Sequence, residues 1–150
     1  MRAEDLIIQE EDQRQLEAAL TRLREESQAR CLLLIDRRDG TLFAKHGFTE
    51  GLDLPSLAAL AAGAFASTRE IARLVGEPEF STLFHEGQQD HLYICLVGEH
   101  GLLMILFDDR TPAGLVRLCA REYSQWLARI LNRCALRAQA PVSPTPWRVE

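Results

Sequence analysis

Between positions 16 and 23, Leu16, Ala19, Leu20 and Leu23 recur at helical spacing, with Glu17, Ala18, Thr21 and Arg22 between them. That i, i+3, i+4, i+7 spacing predicts a helix over about residues 5–28, apolar on one side and solvated on the other. The period then changes. "RCLLLI" is an apolar run of strand length, "DRRDG" carries an Asp-Gly turn signal, and "TLFAKH" resumes as a second strand, making a hairpin. A second helix follows "GLDLPS", capped by Asp53 or Ser56 with Pro55 in its first turn, and stops at Gly76. Three further strand-length runs, "FSTLFHEG", "DHLYICLV" and "GLLMILFDD", are joined by the short turns "GQQD" and "GEHG". Thr111 and Pro112 open a last long helix. In it Leu115, Leu118, Cys119, Tyr123, Trp126, Leu127, Ile130 and Cys134 are expected to share one stripe, up to about Ala138.

The element order is therefore α-β-β-α-β-β-β-α. Short connections between strands favour a five-stranded antiparallel sheet. Along "HLYICLV", Leu92, Ile94 and Leu96 point one way and Tyr93, Cys95 and Val97 the other. A sheet wetted on one face would alternate with polar residues, so this one has helices on both faces. The expected fold is α/β (α+β), a three-layer αβα arrangement.

Three helices must cover two faces. If the first and last share one, the middle helix stands alone on the other. A helix about 10–12 Å wide does not cover five strands spaced ~4.8 Å apart. Inside that helix, "LAALAAGAFAS" has almost no polar face until Arg69. Ala58, Ala59, Ala61, Ala62, Gly63, Ala64 and Ala66 would allow another helix to approach closely. A homodimer that pairs this helix with its copy is the expected solution. Residues 1–138 read as one domain, and 139–150, "QAPVSPTPWRVE", as a proline-rich flexible tail.

Composition narrows the function classes. The net charge of −5 gives no overall electrostatic footprint for nucleic acid. Cys31, Cys95, Cys119 and Cys134 lie far apart with no C-x-x-C pair, which predicts buried, reduced thiols and a cytoplasmic chain. "MRAEDLIIQEEDQRQ" turns acidic too early for a signal peptide, and no uncharged run reaches the ~20 residues of a membrane span. No phosphate-binding glycine motif occurs, and no nucleophile is paired with a base, so neither a cofactor nor a catalytic residue is expected. "FHEGQQDH" gathers His85, Glu86, Asp90 and His91, and reads as a polar hairpin turn rather than a metal site, because no other cluster supplies further ligands. Arg110 is expected to hold its turn by pairing with Asp108 or Asp109 rather than to act as an arginine finger.

The small-residue helix leading into "LVGEPEF", the "FHEG" that opens a hairpin, and "FDDRTPAGLVRL" between the last strand and last helix resemble the Roadblock/dynein light-chain family. The likeness spans about residues 10–135 and is nearest to the family's bacterial MglB-type branch. It implies a Roadblock/profilin-like fold whose sheets join edge to edge in a dimer, with the two middle helices side by side. It also implies binding of a Ras-like small GTPase of the MglA type across those helices. Hydrolysis would be stimulated by reshaping the GTPase, which supplies its own catalytic groups, in the control of cell polarity or motility. Carried onto this chain, the GTPase-binding residues would be Ala59, Ala62, Ala66, Arg69, Glu70 and Arg73, and the dimer interface would include Ala58, Ala61 and Phe65. Arginine substitution at Ala62 or Ala66 is expected to abolish GTPase binding and spare the fold. The alternatives are a scaffold that holds a GTPase or motor subunit without activating it, and a small-molecule sensor with a polar-lined pocket between helix and sheet.

Overall fold

The computed structural model describes residues 6–139. The first helix, α1 (Glu10–Ser27), carries Glu10, Glu11 and Asp12 in its first turn, where carboxylates face the positive end of the helix dipole. It begins later than the apolar spacing suggests. Gln9 is extended, and the segment before it lies against the far end of the last helix: the Ile7 N–H donates to the Cys134 carbonyl at 3.3 Å. Strands β1 (Cys31–Asp36) and β2 (Leu42–Gly47) form the first hairpin. After α2 (Leu54–Val75) come β3 (Thr82–Glu86), β4 (Asp90–Val97), β5 (Gly101–Asp108) and α3 (Ala113–Gln139). The tail expected from residue 139 onward lies, beyond Gln139, outside the described residues.

The strands form one antiparallel sheet in the order β2-β1-β5-β4-β3. Leu32, Leu34, Tyr93, Cys95, Val97, Leu103, Ile105 and Phe107 fill the core beneath α1 and α3. The alternate positions Leu33, Ile35, Ile94, Leu102 and Met104 fill a smaller core beneath α2. The period-two reading of the strands and the αβα layering are both observed. The stripe expected on α3 is corrected at its start: Leu115 and Leu118 are exposed, and Val116 and Ala120 are buried in their place beside the expected Cys119.

Asp12, four residues before Leu16 and so in line with the apolar stripe of α1, is the most consequential polar residue of the larger core. Asp12 is buried, its carboxylate accepting from the Gln9 N–H at 2.9 Å, from Arg133 at 2.9 Å and from Arg137. Arg137 also donates to the Ile7 carbonyl at 2.9 Å, so one cluster ties the start of the described chain to the end of α3. The Arg137 hydrogen bond, with those of Gln9 and Arg133, holds the Asp12 carboxyl well below the usual carboxylate range against the opposing cost of burial. A depressed folded-state pKa gives stability that is complete above the unfolded value, near 4, and is lost as pH falls toward the folded one. Asp12→Asn is therefore expected to cost about 2–3 kcal/mol at pH 7, less than a fully buried pair, because both arginines can rehydrate. Urea unfolding at pH 7 and pH 3 checks this. The gap between variant and parent must narrow at the lower pH.

One glycine fixes how the first hairpin meets α2. Gly40, in the β1–β2 turn, has φ +81°, and a Cβ there would stand 2.6 Å from the Ala59 Cα and 3.0 Å from the Ala58 carbonyl. Backbone cannot swing aside as a side chain can. Gly40→Ala is expected to lose about 1–3 kcal/mol in denaturant unfolding, combining left-handed strain with overpacking; no loss would mean that the turn and α2 are not in firm contact.

Candidate interaction face

α2 owes its ends to three residues. The Asp53 carboxylate accepts from the Ser56 N–H at 3.2 Å and from its hydroxyl at 2.6 Å, and these bonds hold Asp53 below the usual carboxylate range. Pro55 sits in the first turn, and Gly76, at φ +83°, closes the helix by returning its N–H to Ala72 and Arg73. Along the helix, Leu54, Ala58, Ala61, Ala62, Phe65 and Ala72 face the sheet and are buried. Phe65 is the largest of them, and the rest of this face is mostly alanine, so the helix lies close over the Leu33, Ile35, Leu102 and Met104 side chains.

That placement corrects part of the sequence assignment. Ala58 is 0% exposed, Ala61 3% and Phe65 2%, all within a single chain, so they have no surface to offer a second copy. Ala62 is likewise buried and cannot meet a GTPase directly. Ala59, Ala66, Arg69, Glu70 and Arg73 are exposed and form one flank of the helix. The sequence reading missed the neighbouring stripe. Leu60 and Leu74 are 72% and 75% exposed, with Ile71 and Val75 more than half exposed. Positions 60, 71 and 74 are about three and four helical turns apart and fall on one face. That spacing was a legible signal, masked by the run of alanines around it.

Below this helix the sheet is not fully covered. Leu83, Leu92 and Leu96, which share the α2 face, are only partly buried. A small apolar hollow of about 130 Å³ opens among Leu52, Leu57, Leu92, Met104 and Leu106, with Arg30 and Asp90 at it. β3, at the sheet edge, is exposed along almost its whole length. The helix-width argument requires some uncovered ground, and the structure puts it on the β4–β3 side.

Charge is arranged around the flank. Glu79 accepts from Arg37, which holds its carboxyl below the usual range, and from Arg69 at 3.4 Å. The Glu79 pair with Arg37 ties the loop after α2 to the β1–β2 turn, and its contact with Arg69 orients that side chain beside Ala66. Arg73 pairs with Glu70 at 3.0 Å along the helix.

The other candidate groups have structural work. The buried His91 ring packs in a triangle with Phe84 and Phe107, with Nδ1 accepting the Gly87 N–H at 3.2 Å and Nε2 2.6 Å from Asp109. A ring whose Nδ1 accepts carries its proton on Nε2 and donates to Asp109, which locks the hairpin to the β5–α3 turn. His85, Glu86 and Asp90 stay on the surface, and among the described residues no group of three metal-type ligands occurs. Arg110 forks onto Asp108 at 2.8 and 3.1 Å, the turn-holding role expected of it. All four cysteines are buried and free. Burial pushes the Cys95 thiol up to about 12 and the Cys134 thiol up to about 11, so neither is a thiolate at neutral pH.

A sequence model described as "Roadblock/LC7 domain" matches residues 15–107, from the middle of α1 to the end of β5. This chain belongs to the Roadblock/LC7 family. Among solved structures, this Roadblock/LC7 chain is 38% identical to Myxococcus xanthus MglB, with a TM-score of 0.79 over 86% of this chain and 96% of that one. The gliding protein MglB of Thermus thermophilus is 34% identical, with a TM-score of 0.80 over 86% and 97% of the two chains. An MglB described as having a tetrameric arrangement is 32% identical, with a TM-score of 0.82 over 87% and 97%. No curated protein sequence matches the chain. The Roadblock fold implied by the resemblance is therefore the fold observed, and the chain is MglB-like.

Proposed function

We propose that this chain is a homodimeric regulator that binds a Ras-like bacterial small GTPase of the MglA type and stimulates its GTP hydrolysis. The supporting observation is the outer surface of α2. An exposed apolar stripe, Leu60, Ile71, Leu74 and Val75, runs beside an exposed small-residue flank at Ala59 and Ala66. The same face of the sheet leaves Leu83, Leu92 and Leu96 partly uncovered. The stripe packs on its copy, and the flank, ending in Arg69, Glu70 and Arg73, receives the GTPase. MglB relatives at 32–38% identity support the choice of partner. The gliding protein among them supports a role in motility; control of polarity, and a place in the cytoplasm, belong to the same proposal.

The mechanism is a population shift: the dimer binds best to the GTPase conformation in which the GTPase's own catalytic groups are aligned. A 10³–10⁵-fold acceleration would require roughly 4–7 kcal/mol of differential binding. Single-turnover GTP hydrolysis by the cognate GTPase, with and without excess of this protein, is the direct test. Faster hydrolysis is expected; tight, nucleotide-sensitive binding with an unchanged rate would move the reading to a scaffold. Arg69 and Glu70 keep that second reading in view, because they put charge on a flank otherwise built of small residues.

The pairing of copies has its own test. Leu60→Asp combined with Leu74→Asp is expected to convert the dimer to folded monomer in sedimentation, since both side chains are exposed in the single chain. An unchanged sedimentation coefficient would place the seam elsewhere.

A further inference from the structure

A second cleft is lined by none of the residues assigned to the GTPase or the dimer, and shares only Arg30 with the hollow beneath α2. It is about 360 Å³, and Arg24, Gln28, Ala29, Arg30, Phe48 and Arg110 line it. Four separate parts of the chain meet there: the end of α1, the entry to β1, the exit from β2 and the β5–α3 turn. Three of the six lining residues are arginines, in a chain whose net charge is −5.

The three guanidinium groups differ in how far their charge is already answered. Arg110 is answered by its fork onto Asp108, although it remains 86% exposed. Arg30 donates to the Glu50 carbonyl at 3.3 Å and reaches Asp90 only at 3.8 Å, a long contact for an ion pair. Arg24 has no carboxylate partner among the described residues. Its Nε donates to the Ala29 and Arg30 carbonyls at 3.1 and 3.3 Å, and its guanidinium lies over the Phe48 ring at 4.7 Å. Those contacts hold the group in place before any ligand arrives, so little side-chain freedom remains to be lost on binding. They also account for Phe48, a 68% exposed phenylalanine whose ring is the platform for Arg24. The left-handed Gln28, at φ 58°, is what turns the chain sharply enough to bring Arg24 and Arg30 to one cleft.

We propose that this cleft binds the phosphate group of a small phosphorylated ligand. A planar guanidinium presents paired N–H donors that match phosphate oxygens. A phosphate dianion has three terminal oxygens to share among three arginines arriving from different directions, whereas a single carboxylate is satisfied by one. The volume lies at the lower end of the range for small-molecule sites, about 300–1,000 Å³.

The test is calorimetric titration of the full chain with pyrophosphate at fixed ionic strength. One site per chain is expected. Arg110→Ser and Arg30→Gln should each weaken it by about tenfold or more, the worth of one charge-assisted contact. Arg14→Gln, on the exposed side of α1 where Arg14 pairs with Glu10 and Glu11, should leave it unchanged. Circular dichroism of each variant separates loss of the site from loss of the fold. If Arg30→Gln unfolds, Arg110→Ser decides alone, because its side chain holds only a surface turn. Heat that follows ionic strength only, equal affinity in all variants, or tighter binding of a glutamate oligomer than of pyrophosphate would overturn the proposal.

Discussion

Ala66→Arg will abolish stimulated GTP hydrolysis and leave the chain folded, whereas Ala62→Arg, four residues earlier on the same helix, will unseat the helix itself. The two positions look alike in sequence, each an alanine in an alanine-rich run. In the structure Ala66 is exposed on the flank beside Arg69, and Ala62 is 6% exposed against the sheet. A long cation added at a surface position changes stability by no more than ~0.5 kcal/mol. The same cation forced into an apolar seam without a partner costs several kcal/mol or drives the helix off the sheet. Urea unfolding of both variants, beside single-turnover hydrolysis with the GTPase, separates the effects. If Ala66→Arg still activates at the parent rate, the small-residue flank is not where the GTPase sits.

Phe65→Ala will cost about 3–5 kcal/mol, the range for emptying a buried aromatic site. Phe65 is 2% exposed, and its neighbours on the inward face of α2 are chiefly alanines, which have little reach with which to fill the void. The loss concentrates on one helix. α2 carries both proposed contact surfaces, so a loosened helix should also reduce GTPase stimulation and weaken pairing between copies. A variant that loses less than about 1 kcal/mol in denaturant unfolding would show that the helix is held mainly by something other than this ring.

These two expectations rest on different kinds of information. Strand alternation along "HLYICLV" and the apolar spacing of α1 were enough to place both layers of the core, because side-chain direction in a strand or helix follows from backbone geometry alone. The turn role of Arg110 was also legible, since its partner Asp108 lies two residues away. The place of Asp12 on the apolar stripe, four residues before Leu16, was legible as well, but its partners were not, because Arg133 and Arg137 lie more than a hundred residues away in the chain.

The middle helix shows where that boundary falls. Its existence, its caps at Asp53 and Gly76, and its inability to cover five strands follow from local chemistry and from the widths of helices and strands. Which of its alanines are inside did not follow, because alanine has nearly the same helix preference and little hydrophobic contrast on either face. The inward direction was set by Phe65 finding the space over β1 and β5, and by Gly40 bringing the hairpin turn against Ala58 and Ala59. Order, type and layering of the elements were thus written locally, since they depend on periodicities a few residues long. Long-range packing settles which of the two apolar faces of α2 lies on the sheet and which is left to meet a partner, and which distant arginines gather around Asp12 and Phe48. Both outcomes arise from contacts between segments whose separation along the chain leaves no local trace.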